Sequence, residues 1–96
     1  MIQDHLDLIS HLRELKLECE RFDTSARWYV FGSYAKGERA VSDIDVVIVL
    51  RDILRSHLFR RTIEERFFIF PIDLSIMTPS EERYLDFLRT TGAREI

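Results

Sequence analysis

From Asp4 to about Phe22 the apolar positions Leu8, Leu12, Leu15, Cys19 and Phe22 recur with gaps of four and three, separated by Glu, Lys and Arg. That spacing predicts an amphipathic helix burying one stripe. Residues Arg27 to Phe31 (RWYVF) are aromatic and β-branched and stop at Gly32, which predicts a short strand followed by a turn. Ile44 to Leu50 (IDVVIVL) is almost continuously apolar, so a second strand there should be covered on both faces and central in its sheet. Asp52 to Arg66 spreads Ile53, Leu54, Leu58, Phe59 and Ile63 among charges, with no Gly or Pro to interrupt it, and reads as a helix. Phe67 to Met77 (FFIFPIDLSIM) returns to strand composition. Pro71 has no N–H for a ladder, so either pairing begins only at Ile72 or this strand lies at an edge. The stretch after it has Thr78 as N-cap, Pro79 at the first helical position, Glu81 three residues past the cap and Gly92 to close a final helix.

Strand one ends at Gly32 and strand two starts near Asp43, a step that lets the two lie antiparallel with the turn and the carboxylates at one rim. A whole helix separates strands two and three, the connection a parallel pair requires. The expected fold class is α/β (α+β), a small mixed three-stranded sheet with flanking helices. At 96 residues the chain 1–96 is expected to form one domain with no accessory module. Hydrophobic residues at 46% and charged ones at 32% are a globular balance that argues against disorder. No apolar run reaches the roughly 20 residues that span a bilayer, and MIQDHLDL is acidic where a signal peptide is basic, so no membrane association and a cytoplasmic location are expected. Cys19 lies at helical spacing and reads as a small core residue. A net charge of −3 excludes a globally basic nucleic-acid footprint. Arg51, Arg55, Arg60, Arg61 and Arg66 form a local cluster that reads as a solvated helix face.

The chemistry is concentrated in FGSYAKGERAVSDID, Phe31 to Asp45. Residues two apart on a strand point to the same face, so Asp43 and Asp45 converge about 6 to 7 Å apart. Two carboxylates so placed can be a polar strand entrance, with Ser42 and Asp43 accepting turn hydrogen bonds. Asp73 changes that reading, because it interrupts an apolar strand where an unpaired carboxylate is costly to bury. In the alternation of that strand it points away from Ile72, Leu74 and Ile76, and strands two and three are natural neighbours. Three hard oxygen donors suit Mg²⁺ or Mn²⁺, and no His or Cys is near them in sequence. His5, His11 and His57 lie on predicted helices at unrelated positions. Gly32 allows a close backbone approach, and Ser33 offers a hydroxyl and an N–H at the start of a helical turn, a corner that fits phosphate. Two divalent ions would convert three negative carboxylates into a site with net charge +1, able to hold a triphosphate on an acidic protein.

Gly32-Ser33-Tyr34-Ala35-Lys36-Gly37, then Ser42-Asp43-Ile44-Asp45, then Asp73 in a later strand resembles the DNA polymerase beta-like nucleotidyltransferase superfamily. Its short members are the minimal nucleotidyltransferases, or MNT proteins, and the likeness covers essentially the whole chain. By that resemblance Asp43 and Asp45 would bind both metals, Asp73 would hold the catalytic metal and help deprotonate the acceptor hydroxyl, and Gly32 and Ser33 would contact the nucleotide phosphates. Many relatives have Arg where this chain has Lys36. The resemblance implies a Mg²⁺-dependent transfer of a nucleoside monophosphate from a nucleoside triphosphate, ATP as donor, to a hydroxyl with release of pyrophosphate. It also implies a HEPN-type partner in a toxin–antitoxin pair, with the MNT chain as the antitoxin that attaches AMP to its partner. The alternatives are a module that neutralises such a partner by masking it and a domain that binds nucleotide without turnover. The sequence leaves the acceptor, the base preference and homo-oligomerisation open.

Overall fold

A computed structural model describes residues 5–35, 43–66 and 72–96. Helix α1 (His5–Cys19) leads into strand β1 (Arg27–Phe31), the short helix α2 (Gly32–Ala35) and strand β2 (Ile44–Val49). A 3₁₀ turn (Ile53–Arg55) opens helix α3 (Ser56–Arg66), followed by β3 (Ile72–Met77), α4 (Pro79–Leu85), α5 (Phe87–Thr91) and β4 (Arg94–Glu95). The strands form one mixed sheet in the order β3-β2-β1-β4. β2 pairs antiparallel with β1 and parallel with β3, as the short and the helical connections require.

The sheet has four strands rather than the expected three. Arg94 and Glu95 add to β1 opposite Val30 and Tyr29, a bridge of two charged residues that carries no strand signature of its own. The Ile96 N–H donates to the Trp28 carbonyl at 3.0 Å, and side chains add to this backbone pairing: Arg27 grips Glu95 through two hydrogen bonds of 3.0 and 2.9 Å, and Lys16 donates to the Ile96 carbonyl at 2.7 Å.

One face of the sheet carries the main core. Leu8, Leu12, Leu15 and Cys19 of α1 and Phe59 and Ile63 of α3 close over Trp28, Val30, Ile44, Val46 and Ile48. Each fully buried leucine of that stripe stabilises the fold by about 1.5–3 kcal/mol. α1 stops at Cys19, three residues before the expected end, and Phe22 reaches the core from the following turn by meeting Phe59 edge-on at 5.7 Å. Burial pushes the Cys19 thiol up to about 11, aided by the Glu18 charge, as befits a core residue.

The second face is covered only in part. Tyr29, Val47, Val49 and Met77 are buried there beneath Phe31, Phe87, Leu88 and Ala93. β2 is therefore apolar on both sides, as its composition predicts. The final helix is capped as expected: Thr78 accepts from the Glu81 N–H at 3.2 Å and the Glu81 carboxylate accepts from the Thr78 N–H at 3.0 Å. It is broken, however, at Asp86, whose left-handed backbone (φ 51°) separates α4 from α5. The break lets α5 turn Phe87 and Leu88 onto the sheet while Tyr84 and Leu85 remain exposed.

Candidate active site

Strand parity and register assemble the site. Asp45 sits in β2 with Phe31 opposite it on β1 and Asp73 opposite it on β3, so the two carboxylates lie on neighbouring strands and one face. Asp43 lies in the bend just before β2, near the same rim. The structure brings all three together: each offers one carboxylate oxygen, and these oxygens lie within 4.8 Å of one another. Asp43 and Asp73 are exposed and Asp45 is half-buried.

Three like charges at that spacing repel. The Asp45 carboxyl is held above the usual carboxylate range, first by burial, then by the charges of Asp43 and Asp73. A cation between the three removes the last two causes. Two oxygens opposite each other on one Mg²⁺ are about 4.2 Å apart, so a set spread over as much as 4.8 Å closes slightly on one ion or accommodates a pair. The donors are all hard carboxylate oxygens, with no His or Cys in the cluster, and the residues therefore fit Mg²⁺ or Mn²⁺.

Gly32 is fixed by this arrangement. Its φ of +71° lies in the left-handed region, and a Cβ there would fall inside the van der Waals envelope of Asp45 Oδ2. The turn after β1 thus approaches the central carboxylate with its backbone alone. Ser33 follows as the second residue of α2. Lys36, Gly37 and Ser42 lie outside the described residues.

The arginine run resolves mostly as a solvated face. Arg55 pairs with Asp52 at 3.3 Å, Arg61 with Glu65 at 3.1 Å and Arg66 with Glu18 at 2.6 Å. Exposed pairs of this kind contribute little. Arg51 lines a cavity of about 250 Å³ with Arg27 and Arg83 on the second face, at the end of β1 and β2 remote from the carboxylates. Arg60 is different. With Ile63, Glu64, Ile72 and Leu74 it lines a cavity of about 360 Å³ that reaches Asp73. Nothing in the composition of Asp52 to Arg66 distinguished Arg60 from its neighbours. His11 and His57 are exposed on α1 and α3 and do not join the carboxylates.

The family described as nucleotidyltransferase domain matches this sequence over residues 12–92. A crystal structure provisionally assigned as a nucleotidyltransferase superposes with a TM-score of 0.67 at 29% identity, covering 90% of this chain and 97% of that one. A second, from Sulfolobus solfataricus and likewise provisionally assigned, gives a TM-score of 0.65 at 21% identity, covering 95% of this chain and 80% of the other, and speaks to the fold alone. No curated protein matches the chain. Among the described residues no helix is long and apolar enough to cross a membrane.

Proposed function

The chain belongs to the nucleotidyltransferase-domain family, and from that premise we propose that it transfers AMP from ATP, with Mg²⁺, to a hydroxyl of a partner protein. The partner on this reading is a HEPN-type toxin and the chain its antitoxin, as the motif resemblance implies. The observation that carries the catalytic part is the meeting of Asp43, Asp45 and Asp73 within 4.8 Å, opposite a glycine whose missing Cβ leaves room for Asp45.

Asp43 and Asp45 would hold both divalent ions against the triphosphate, and Asp73 would help hold one of them and help deprotonate the acceptor hydroxyl. When bound, the ions supply charge neutralisation on the phosphates and ease ionisation of the attacking hydroxyl. On this reading the backbone at Gly32, which closes on Asp45, and the adjoining Ser33 would contact the phosphate tail. Nothing in this division needs a residue beyond the sequence motif, because phosphoryl transfer is largely positioning and electrostatics.

The exposed Tyr84 and Leu85 favour the second reading, in which contact with the partner alone neutralises it. The two readings separate on one substitution. With α-phosphate-labelled ATP and Mg²⁺ in a lysate of source cells, wild type should label a protein band, and Asp43→Asn should lower that labelling by at least about a thousandfold with unchanged circular dichroism. Equal labelling by the two forms sinks the enzymatic reading. Full neutralisation of the partner by Asp43→Asn supports masking.

A further inference from the structure

The proposed transfer has two sides. Entering and leaving oxygens lie roughly in line through the α-phosphorus, so the acceptor hydroxyl must approach opposite the departing pyrophosphate. Gly32 follows β1 directly and faces Asp45 from the β1 side, whereas Asp73 lies on the other side, on β3. With the phosphates toward Gly32, the hydroxyl arrives past Asp73.

What lies beyond Asp73 is the edge of the sheet. Among the described residues no strand pairs with the outer side of β3. The Leu50 N–H donates to the Met77 carbonyl at 2.8 Å, so Met77 turns its backbone groups inward toward β2. Successive residues of a strand turn theirs to opposite sides, which leaves the N–H and C=O groups of Ile76, Leu74 and Ile72 facing out. Over Ile72–Met77 the edge has no lysine to block pairing, and its single charge is Asp73. Beside its first half opens the 360 Å³ cavity, to which Arg60 and Glu64, one turn apart on α3, bring one charge of each sign.

We propose that this edge and cavity are the acceptor groove, occupied by an extended polypeptide segment that adds alongside β3 and presents a hydroxyl-bearing side chain to Asp73. The inference rests on the nucleotidyltransferase reading and specifies its acceptor. Free main-chain groups in register are what a strand pairs with, and they give a small alcohol nothing to hold. A nucleic acid would meet Asp43, Asp45, Asp73 and Glu64, with Arg60 as the single cation among the described residues that line the cavity. In the step itself the hydroxyl oxygen bonds to the α-phosphorus while the bond to the bridging pyrophosphate oxygen breaks. The hydroxyl proton passes to the Asp73 carboxylate and on to solvent, leaving a nucleoside monophosphate ester and pyrophosphate.

The test uses the full chain, Mg²⁺ and α-phosphate-labelled ATP with two acceptors: a degenerate pool of nine-residue peptides carrying Tyr, Ser or Thr only at the centre, and the corresponding single amino-acid amides. The groove predicts a peptide kcat/KM at least tenfold above that of the amides. It also predicts that Arg60→Glu removes at least tenfold of the peptide value, while calorimetry finds the affinity for Mg²⁺–ATP unchanged. Equal use of peptide and amide by wild type overturns the groove and leaves the nucleotidyltransferase reading standing, as does an Arg60→Glu protein that keeps the peptide rate. A wild type that transfers to neither acceptor and binds no Mg²⁺–ATP overturns both.

Discussion

At the scale of the residue, Gly32 and Asp45 constrain each other. Gly32→Ala puts a Cβ against Asp45 Oδ2 at a positive φ, which should cost about 1–2 kcal/mol of stability and displace the central carboxylate. Urea unfolding measures the first effect and labelled-ATP transfer the second, and retention of full activity would remove Gly32 from the site. Asp45 carries a testable sign. Its folded-state value is raised, so the metal-free fold holds that proton more tightly than the unfolded chain, and ionising it costs stability once the pH exceeds the ordinary carboxylate range. Asp45→Asn should therefore raise the metal-free Tm at pH 7, while protons compete with Mg²⁺ as the pH falls toward the raised value. Calorimetric titration of wild type should show Mg²⁺ affinity falling with pH, and an Asp45→Asn protein of lower metal-free Tm would contradict the repulsion. Asp45 and Asp73 were legible in sequence because period-two alternation fixes the face of each, whereas Asp43 joins them from the bend before β2. Their register was not, because nothing local to DID or IDL states that Asp45 and Asp73 stand side by side.

At the scale of the element, caps were read more reliably than continuity. Thr78 and Glu81 form the expected box, and Thr78→Ala should cost about 1 kcal/mol in a denaturant midpoint at constant m. The break at Asp86 escaped because Tyr84-Leu85-Asp86-Phe87-Leu88 is as apolar as a continuous helix, and the left-handed residue is the uncommon choice, an aspartate rather than a glycine. The expected helix from Asp52 begins instead with a 3₁₀ turn, Asp52 accepting from the Leu54 N–H at 3.1 Å. Ile53 and Leu54 are exposed in consequence, and only Phe59, Thr62 and Ile63 of α3 are buried. Apolar spacing thus located α3 but overstated how much of it faces the core. β4 escaped for the opposite reason: its two residues are charged, and only their partners on β1 make them a strand.

At the scale of the whole molecule, the two faces of the sheet divide the labour. α1 and α3 meet over one face, and Phe59 joins them to Phe22 and Trp28 at ring distances of 5.7 and 6.3 Å. Phe59→Ala should cost about 3–5 kcal/mol, a large part of the roughly 5–15 kcal/mol that holds a domain together, and should be visible as a drop in Tm on calorimetry. On the other face α5 covers Tyr29, Val49 and Met77, and its Phe87 meets Phe31, the β1 neighbour of Asp45, edge-on at 5.0 Å, while Asp43 and Asp73 stay exposed. Cys19 extends this division into a clock. It is the one thiol of the chain, buried on the core face of α1 at its last residue, and at pH 7 a group pushed up to about 11 presents about one thiolate in ten thousand. An alkylating reagent must therefore wait until α1 lifts from the sheet, where the freed thiol ionises near its ordinary value. A timed pulse of iodoacetamide then counts opened molecules, so the stability changes expected for Gly32→Ala, Thr78→Ala and Phe59→Ala can be compared by mass alone, without an optical probe.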